Sequence, residues 1–272
     1  METRIEIIRT TGDKITDVPL AQVGGKGLFT KEIEEALLAG TIDLAVHSLK
    51  DMPTALPDGL ILAAIPERED ARDALIGRPL AELRKGDRVG TSSLRRAAQL
   101  HSLHKGLAIE NLRGNVDTRL RKLDEGQYES IVLAAAGLKR LGWADRIREL
   151  IDADIMCPAV GQGALAIETR DDDGPARELA RKLDHADTRA AVTAERSLLA
   201  TLEGGCQVPI GAHAVVSGAE IRLRAIVASP GGDKMLRDQM TGTDAPALGR
   251  SLAERLLSAG AREILGAVAR SA

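Results

Sequence analysis

Short apolar runs alternate with amphipathic stretches along the first two thirds of the chain. Runs rich in Ile, Leu, Val and Ala predict strands at 4–9, 42–46, 60–65, 107–112 and 130–136. Helical spacing predicts a helix after Thr30 that stops at Gly40, another from about Val116 to Asp124, and a strand–turn–helix over 89–96. This alternation indicates α/β units with parallel strands.

The last third of the chain has a different pattern. The charged stretch 67–73 is typical of a connector, and residues 158–163 are typical of a return crossing. Two helices are then expected near 175–183 and 187–201, followed by strands near 213–216, 220–228 and 235–241 and by helices near 246–258 and 261–269. Strands followed by helices predict an α+β unit.

Composition excludes several classes of protein. Phe29, Tyr128 and Trp143 are the only aromatic residues, so no base-stacking platform for single-stranded nucleic acid is available. The formal net charge of −3 argues against a non-specific polyanion binder. No signal peptide opens the chain, and the longest apolar run, 131–138, is too short to span a bilayer. We therefore expect a soluble cytoplasmic protein.

Cys157 and Cys206 are the only cysteines, which gives neither a disulfide framework nor zinc-ligand spacing, and no metal site is expected. Cys157 precedes a proline after an apolar pair and is typical of a structural residue. Cys206 lies between a glycine pair and Pro209, where no helix or strand interior can run. Two interpretations of Cys206 stay open: a buried inert thiol in a tight turn, or a reactive thiol that something bulky approaches.

Basic residues recur where predicted strands end. In parallel α/β sheets, functional groups gather beyond the carboxyl ends of the strands. Thr91-Ser92-Ser93 adds hydroxyls and free N–H groups at a helix start, which suits an anion. No P-loop or G-x-G-x-x-G is present, so a nucleotide is not favoured and a carboxylate ligand is equally compatible. Each arginine taken singly is also compatible with a solvated surface residue. The basic residues concerned are Lys50, Arg95, Arg96, Arg113, Arg119, Lys139 and Arg140.

Asp51 is the best candidate for a general acid or base. It lies in a turn next to Lys50, with His47 four residues earlier. A triad of Ser48, His47 and Asp51 carries little weight, because side chains so close in one segment rarely reach relay geometry. The glycine-rich stretch 22–27 with Lys26 is either a mobile loop near a site or simply a loop.

With these residues in view, the chain closely resembles the hydroxymethylbilane synthase (porphobilinogen deaminase) family. The matching runs follow the family order and cover nearly the whole chain. They are VGGKGLFTKE (23–32), DLAVHSLKDMPT (43–54), GTSSLRRAAQL (90–100), LRGNVDTRL (112–120), AAAGLKRLG (134–142), PAVGQGAL (158–165) and LEGGCQVPIGA (202–212).

The resemblance implies two hinged α/β domains like those of periplasmic binding proteins and a smaller α+β C-terminal domain. We expect domain 1 at 1–66 and 164–184, domain 2 at 72–158 and domain 3 at 187–272. It also implies a cytoplasmic monomeric transferase of porphyrin and heme biosynthesis, with no nucleic-acid or membrane partner. Such an enzyme joins four porphobilinogen molecules head to tail on a dipyrromethane primer, releases ammonia, and hydrolyses off the linear tetrapyrrole.

The resemblance also implies roles for individual residues. Cys206 matches the family cysteine that carries the dipyrromethane cofactor through a thioether, and Asp51 matches the catalytic carboxylate. The cofactor-binding positions match Lys26, Lys50, Ser93, Arg95 and Arg96. The positions that hold substrate carboxylates match Arg113, Arg119 and Arg140.

The N-terminus departs from the family pattern. Family members open with a strand and helix bearing R-x-S-P-L-A, and this motif does not occur in the sequence. A family lysine before the glycine loop is Gln22 here. We expect a chain without that segment to be less stable and to have little synthase activity. The alternatives are therefore an inactive truncated homologue, or a non-catalytic binder of acidic small molecules.

Overall fold

The computed structural model describes residues 3–11, 30–172, 174–203 and 208–271. Its strands are β1 (Leu44–Ser48), β2 (Leu60–Ala64), β3 (Asp73–Gly77), β4 (Arg88–Gly90), β5 (Ala108–Glu110), β6 (Ser130–Ala134), β7 (Glu149–Ile151), β8 (Leu165–Arg170), β9 (Ile210–Ser217), β10 (Glu220–Ala228) and β11 (Met235–Gly242). Its helices are α1 (Lys31–Leu38), α2 (Leu94–Leu103), α3 (Val116–Asp124), α4 (Ala135–Arg140), α5 (Pro175–Arg181), α6 (Ala186–Thr201), α7 (Ala245–Leu256) and α8 (Arg262–Ser271).

The first sheet has three strands in the order β1-β8-β2. Both pairs are antiparallel, so the prediction of parallel strands is wrong for this sheet. The sequence pattern did not predict β8, the central strand of this sheet. The chain passes from the crossing segment at 158–163 almost directly into β8, so the pattern does not separate the strand from the crossing. The strand predicted at 4–9 is wrong: residues 3–10 form no strand, and Ile5 and Ile7 are 88% and 84% exposed. Apolar alternation defines a strand only where a neighbour accepts its hydrogen bonds, and none of the described strands pairs with this segment.

The second sheet has five strands in the order β5-β4-β6-β3-β7. β4 runs parallel to β5 and β6, as the alternation of strands and helices predicts. β3 runs antiparallel to β6 and β7, which the prediction of parallel strands missed. The charged connector predicted at 67–73 ends where this strand begins, and its apolar residues Ala74, Leu75 and Ile76 are buried.

The third sheet, β11-β10-β9, is antiparallel and packs against α6 and α7. Leu198, Leu223 and Leu252 are completely buried between these layers. This is the predicted α+β unit. The described part of the chain thus has two α/β units, the second inserted in the first, followed by an α+β unit. Each sheet lies within one of the three predicted domain ranges, whose boundaries stay predictions. In the part of the chain described, no helix is both long and apolar enough to cross a membrane.

Two crossing segments connect the first two sheets, and they contact each other. The N–H of Glu69 donates to the carbonyl of Gly163 at 3.2 Å, and Gln162 Nε2 donates to the carbonyl of Ala71 at 2.7 Å. Gly163 has φ +87°, and a Cβ there would lie 2.3 Å from the Glu69 carbonyl oxygen. Only glycine permits this contact, so the crossings stay close together.

Candidate active site

The strand β1 leads straight into the turn that carries Asp51. Residues Leu49–Asp51 form a single 3₁₀ turn, which Met52 closes by donating to the carbonyl of Leu49 at 3.1 Å. Leu49 is buried and its N–H donates to the carbonyl of Ala164 at 3.0 Å, so the turn is fixed to the start of β8. Pro53 follows and prevents a longer helix. The turn leaves Asp51 exposed.

Positive charges from distant parts of the sequence gather around this turn. Burial lowers the pKa of Lys50, which also lies within electrostatic range of Asp51 and Arg96. Burial, together with the charges of Arg96 and Arg113, lowers the pKa of Arg119 to about 10. Among the described residues, the charge of Asp51 opposes this shift at Arg119. Cations therefore crowd one another next to a single exposed carboxylate.

A buried carboxylate orders part of this cluster. Asp73, which is 0% exposed, accepts hydrogen bonds from Arg95 Nη1 at 2.7 Å and from Arg96 Nη2 at 2.7 Å. Gln162 Nε2 also donates to Asp73, at 2.9 Å. Burial alone would raise the pKa of Asp73, but the charges and hydrogen bonds of the two arginines outweigh it and hold the pKa well below its usual range. Sequence analysis missed this residue, because it stands at the end of a charged run.

Arg95 and Arg96 are buried on the first turn of α2 and are largely occupied by protein groups. Arg95 Nη1 also donates to the carbonyl of Cys157 at 2.6 Å, and Arg96 Nη1 donates to the carbonyl of Val132 at 3.0 Å. Arg95 Nε is buried without a partner among the described atoms. Ser93 caps α2, with its hydroxyl accepting from the N–H of Arg96 at 3.4 Å.

Arg140 occupies a different place from the other arginines. It is exposed, and its Nη2 donates to the carbonyl of Gly163 at 2.7 Å, on the crossing segment. Gln162, the residue before Gly163, accepts from Arg95 Nη2 through its Oε1 at 3.4 Å. Arg140 and Arg95 therefore contact adjacent residues of the same crossing segment. Arg119 Nε donates to the carbonyl of Gly114 at 2.7 Å, which fixes the loop before α3. The binding roles of these arginines stay predictions.

Cys206 and Lys26 lie outside the described residues, but the chain on both sides of Cys206 is described. On the N-terminal side, α6 ends at Thr201 and Glu203 adopts φ 53°. On the C-terminal side, the N–H of Ala212 donates to the carbonyl of Pro158 at 3.0 Å. The described chain that follows Cys206 therefore contacts the crossing segment at Pro158.

The other cysteine, Cys157, lies within the described residues. Cys157 is buried, and burial raises the pKa of its thiol to about 12. This agrees with the structural role expected for it.

His47 is held away from any relay with Asp51. Its Nε2 lies 2.9 Å from Glu168 Oε2 on β8, and both side chains are buried. The triad of Ser48, His47 and Asp51 is therefore not formed. His47 instead links β1 to the centre of the first sheet.

The donor set suits a ligand with several carboxylates. Arg119 is partly desolvated beside two other guanidinium groups, and an anion between them would relieve their repulsion. The unpartnered Nε of Arg95 supplies a further donor close by. These groups fit a dipyrromethane cofactor, which carries acetate and propionate side chains. Across the described residues, no cluster of three or more His, Cys, Asp or Glu side chains has the geometry of a metal site.

Comparison with known proteins gives a consistent result. Residues 1–178 match the family model described as porphobilinogen deaminase, dipyrromethane cofactor binding domain, and residues 189–258 match the model of the C-terminal domain. A porphobilinogen deaminase of Syntrophobacter fumaroxidans is 54% identical, with 100% of this chain and 89% of that protein aligned. One of Trichlorobacter lovleyi is 56% identical over 95% of this chain and 84% of that protein, and one of Brevibacillus brevis is 53% identical over 97% and 86%.

Among solved structures, a TRAP periplasmic solute binding protein of Desulfovibrio salexigens aligns over 59% of this chain and 60% of its own. The TM-score is 0.37 at 15% identity. The two family models together span most of the sequence, and the relatives exceed half identity over nearly all of it. The chain belongs to the porphobilinogen deaminase family.

Proposed function

We propose that this chain condenses four porphobilinogen molecules head to tail on a dipyrromethane primer, releases one ammonia per condensation, and hydrolyses off the linear tetrapyrrole. The observation that carries the proposal is the group of cations around one exposed carboxylate, Asp51, at the end of β1. Such a group suits a substrate that brings two carboxylates with every unit added. The family assignment supplies the reaction.

Asp51 handles protons in this proposal. It hydrogen-bonds the aminomethyl ammonium of porphobilinogen, whose C–N bond breaks to release ammonia, and it stabilises the positive charge that develops on the pyrrole. It then takes up the proton that is lost when the new C–C bond forms. Asp51 is exposed, so substrate can reach its carboxylate.

The cations bind carboxylates in this proposal. Guanidinium forks match a carboxylate in two hydrogen bonds, which orients the pyrrole ring as well as attracting it. The cofactor, when bound, supplies the primer pyrrole to which substrate units are joined. The residues assigned to the cofactor are Cys206 as covalent attachment, Lys26, Lys50, Ser93, Arg95 and Arg96, and those assigned to substrate are Arg113, Arg119 and Arg140.

We also assign the chain to the cytoplasm, as a monomer without a nucleic-acid or membrane partner. The scarcity of aromatic residues and the net charge of −3 support the absence of a nucleic-acid partner. Size-exclusion chromatography with light scattering of the purified chain tests the oligomeric state, and a stable dimer would contradict it.

Intact-mass spectrometry and turnover together test the proposal. The purified chain should carry two linked pyrrole units on Cys206 and should consume porphobilinogen with release of ammonia. Cys206→Ser should lack the added mass and the activity, whereas Cys157→Ser should retain both. A chain that binds porphobilinogen without an adduct or turnover would be the non-catalytic binder instead. An adduct on Cys157 would contradict the assignment of the cysteine.

A further inference from the structure

The loop that follows Asp51 is held by a residue far away in the sequence. Arg196, on α6, donates through Nη2 to the carbonyl of Pro53 at 2.6 Å and to that of Thr54 at 3.2 Å. Its Nη1 lies 3.5 Å from the carbonyl of Met52. The Arg196 guanidinium thus contacts the carbonyls of three successive residues directly after Asp51.

These contacts are with the backbone alone. No carboxylate of the described residues forms an ion pair with Arg196, and burial, with nothing opposing it, lowers its pKa. A guanidinium that is partly desolvated without a counter-charge costs free energy unless its donors are satisfied. The carbonyls of residues 52–54 accept hydrogen bonds from the Arg196 donors only while this segment keeps its present conformation.

The helix that carries Arg196 is itself firmly held. The preceding residue, Glu195, is 0% exposed and accepts from Arg68 at 2.6 Å and 3.2 Å. Its oxygens also accept from the N–H groups of Gly161 and Ala214, both at 2.7 Å. Glu195 thereby joins α6 to both crossing segments and to β9.

The same helix continues towards Cys206. α6 ends at Thr201, and Leu202 and Glu203 then lead into residues 204–207. The Asp51 turn follows a strand of the first sheet, whereas α6 packs against the third sheet. The distance between the turn and the end of α6 therefore depends on the contacts that join these two units. Arg196 is a direct link between the loop after Asp51 and the helix before the cysteine.

We propose that Arg196 is a positioning residue, which fixes the Asp51 turn against α6, the helix that precedes Cys206 in the sequence. The inference rests on the proposed function, in which Asp51 must reach a pyrrole tethered at Cys206. A displacement of about 1 Å at a reacting group lowers the rate by about 10²-fold.

The test compares three variants with the wild-type chain. Arg196→Gln removes the charge and most of the donors, Arg196→Lys keeps one donor group, and Arg250→Gln on α7 is the control. The Arg250 side chain is exposed and forms no hydrogen bond or ion pair with another described side chain. We expect kcat to fall about 10²-fold in Arg196→Gln with a smaller change in KM and an unchanged cofactor mass. Arg196→Lys should recover most of the loss, and Arg250→Gln should match the wild type.

A double-mutant cycle separates positioning from general stability. If Arg196 acts through Asp51, Arg196→Gln should cost little further activity when Asp51 is already Asn, because coupled residues are not additive. A full additional 10²-fold loss in that background would overturn the inference. So would an Arg196→Gln enzyme with wild-type kcat.

Amide hydrogen exchange gives an answer that does not depend on turnover. In Arg196→Gln, the amide of Met52, which donates to the carbonyl of Leu49, should exchange at least about 10-fold faster than in the wild-type chain, while the amides of β9 stay unchanged. Unchanged exchange at Met52 would reject the inference even if the wild-type chain made no tetrapyrrole. Absence of turnover in the wild type would reject the proposed function alone.

Discussion

Asp73 accepts two hydrogen bonds from Arg96 on a single carboxylate oxygen, from Nε at 2.9 Å and from Nη2 at 2.7 Å. The same carboxylate pairs with Arg95. One buried negative charge therefore holds two guanidinium groups side by side, and the three groups together keep a net positive charge. In the proposed anion site, Asp73 would set the geometry of these arginines without itself being exposed to a ligand.

Replacement of Asp73 by Asn should destabilise the chain strongly. The two buried guanidinium groups would lose their counter-charge, and breaking such an arrangement costs about 3–5 kcal/mol. The free energy of unfolding from urea titration measures this. Asp238→Asn is the control, because its ion pair with Arg255 is largely solvated and such a pair contributes about 1 kcal/mol or less. Equal losses in the two variants would contradict the importance of burial here.

Asp73 should also make stability depend on acid pH. Its pKa is lower in the folded chain than in the unfolded one. Its contribution is therefore complete above the unfolded pKa of about 3.9 and is lost as the pH falls towards the folded pKa. Unfolding followed from pH 7 to pH 2 should show a drop below about pH 4 that is smaller in Asp73→Asn. The same pH profile in both proteins would contradict this.

Asp51→Asn should keep the fold and the cofactor but lose most of its turnover. Removal of one preorganised charge typically lowers the rate about 10²- to 10³-fold. Rates of porphobilinogen consumption, normalised to cofactor mass, measure the effect. Asp58→Asn, at an exposed position in the same connection, should remain as active as the wild type. An Asp51→Asn enzyme within a few-fold of the wild type would show that the role is misassigned.

Arg119→Gln should weaken porphobilinogen binding, and more so at low salt. A charged hydrogen bond contributes about 1.5–3 kcal/mol, which corresponds to roughly 10- to 100-fold in KM. High salt already screens partly exposed charges, so the difference from the wild type should shrink there. Arg121→Gln on the same helix α3 is the control, since the Arg121 side chain is 68% exposed and, among the described residues, forms its ion pair with Glu125 one turn away. KM values that do not respond to salt in either variant would contradict the prediction.

Cys157 should resist modification in the folded protein. In Cys206→Ser it is the remaining thiol, and its pKa is about 12 against an ordinary value of 9.0. At pH 8 the thiolate fraction falls about a thousand-fold relative to the unfolded chain. Reaction with a disulfide reagent should therefore be very slow until denaturant is added, and then release one equivalent. Rapid reaction without denaturant would show that Cys157 is not buried.

Local patterns predicted the elements whose partners are close in sequence. The helix at 116–124 has the expected limits, because its apolar spacing and the preceding glycine turn act locally. The strand at 4–9 was wrong because apolar alternation does not provide a neighbouring strand. β3 was missed because its first residue, Asp73, extends a charged run, and the arginines that neutralise it lie on α2.

The sequence predicted which residues form the candidate site, but it did not predict the hydrogen bonds and ion pairs that hold them in place. Asp51 and the arginines stand out by charge at the ends of predicted strands. Their supporting contacts join residues far apart in sequence, as with Arg196 and Pro53 or Glu195 and Arg68. No periodicity or spacing indicates such pairs. They follow from the three-dimensional path of the crossing segments.

The contact between the two crossing segments makes the second sheet a topological insertion. The chain leaves the first unit near Ala71 and returns at Gln162, and these two residues are hydrogen-bonded to each other at 2.7 Å. A segment whose two ends meet can be exchanged between homologues with a single pair of adjacent junctions. Chimeras built at these junctions would place the α2 and α3 arginines of one relative opposite the Asp51 turn of another, and so would allow the anion-binding half of the site to be varied as a module.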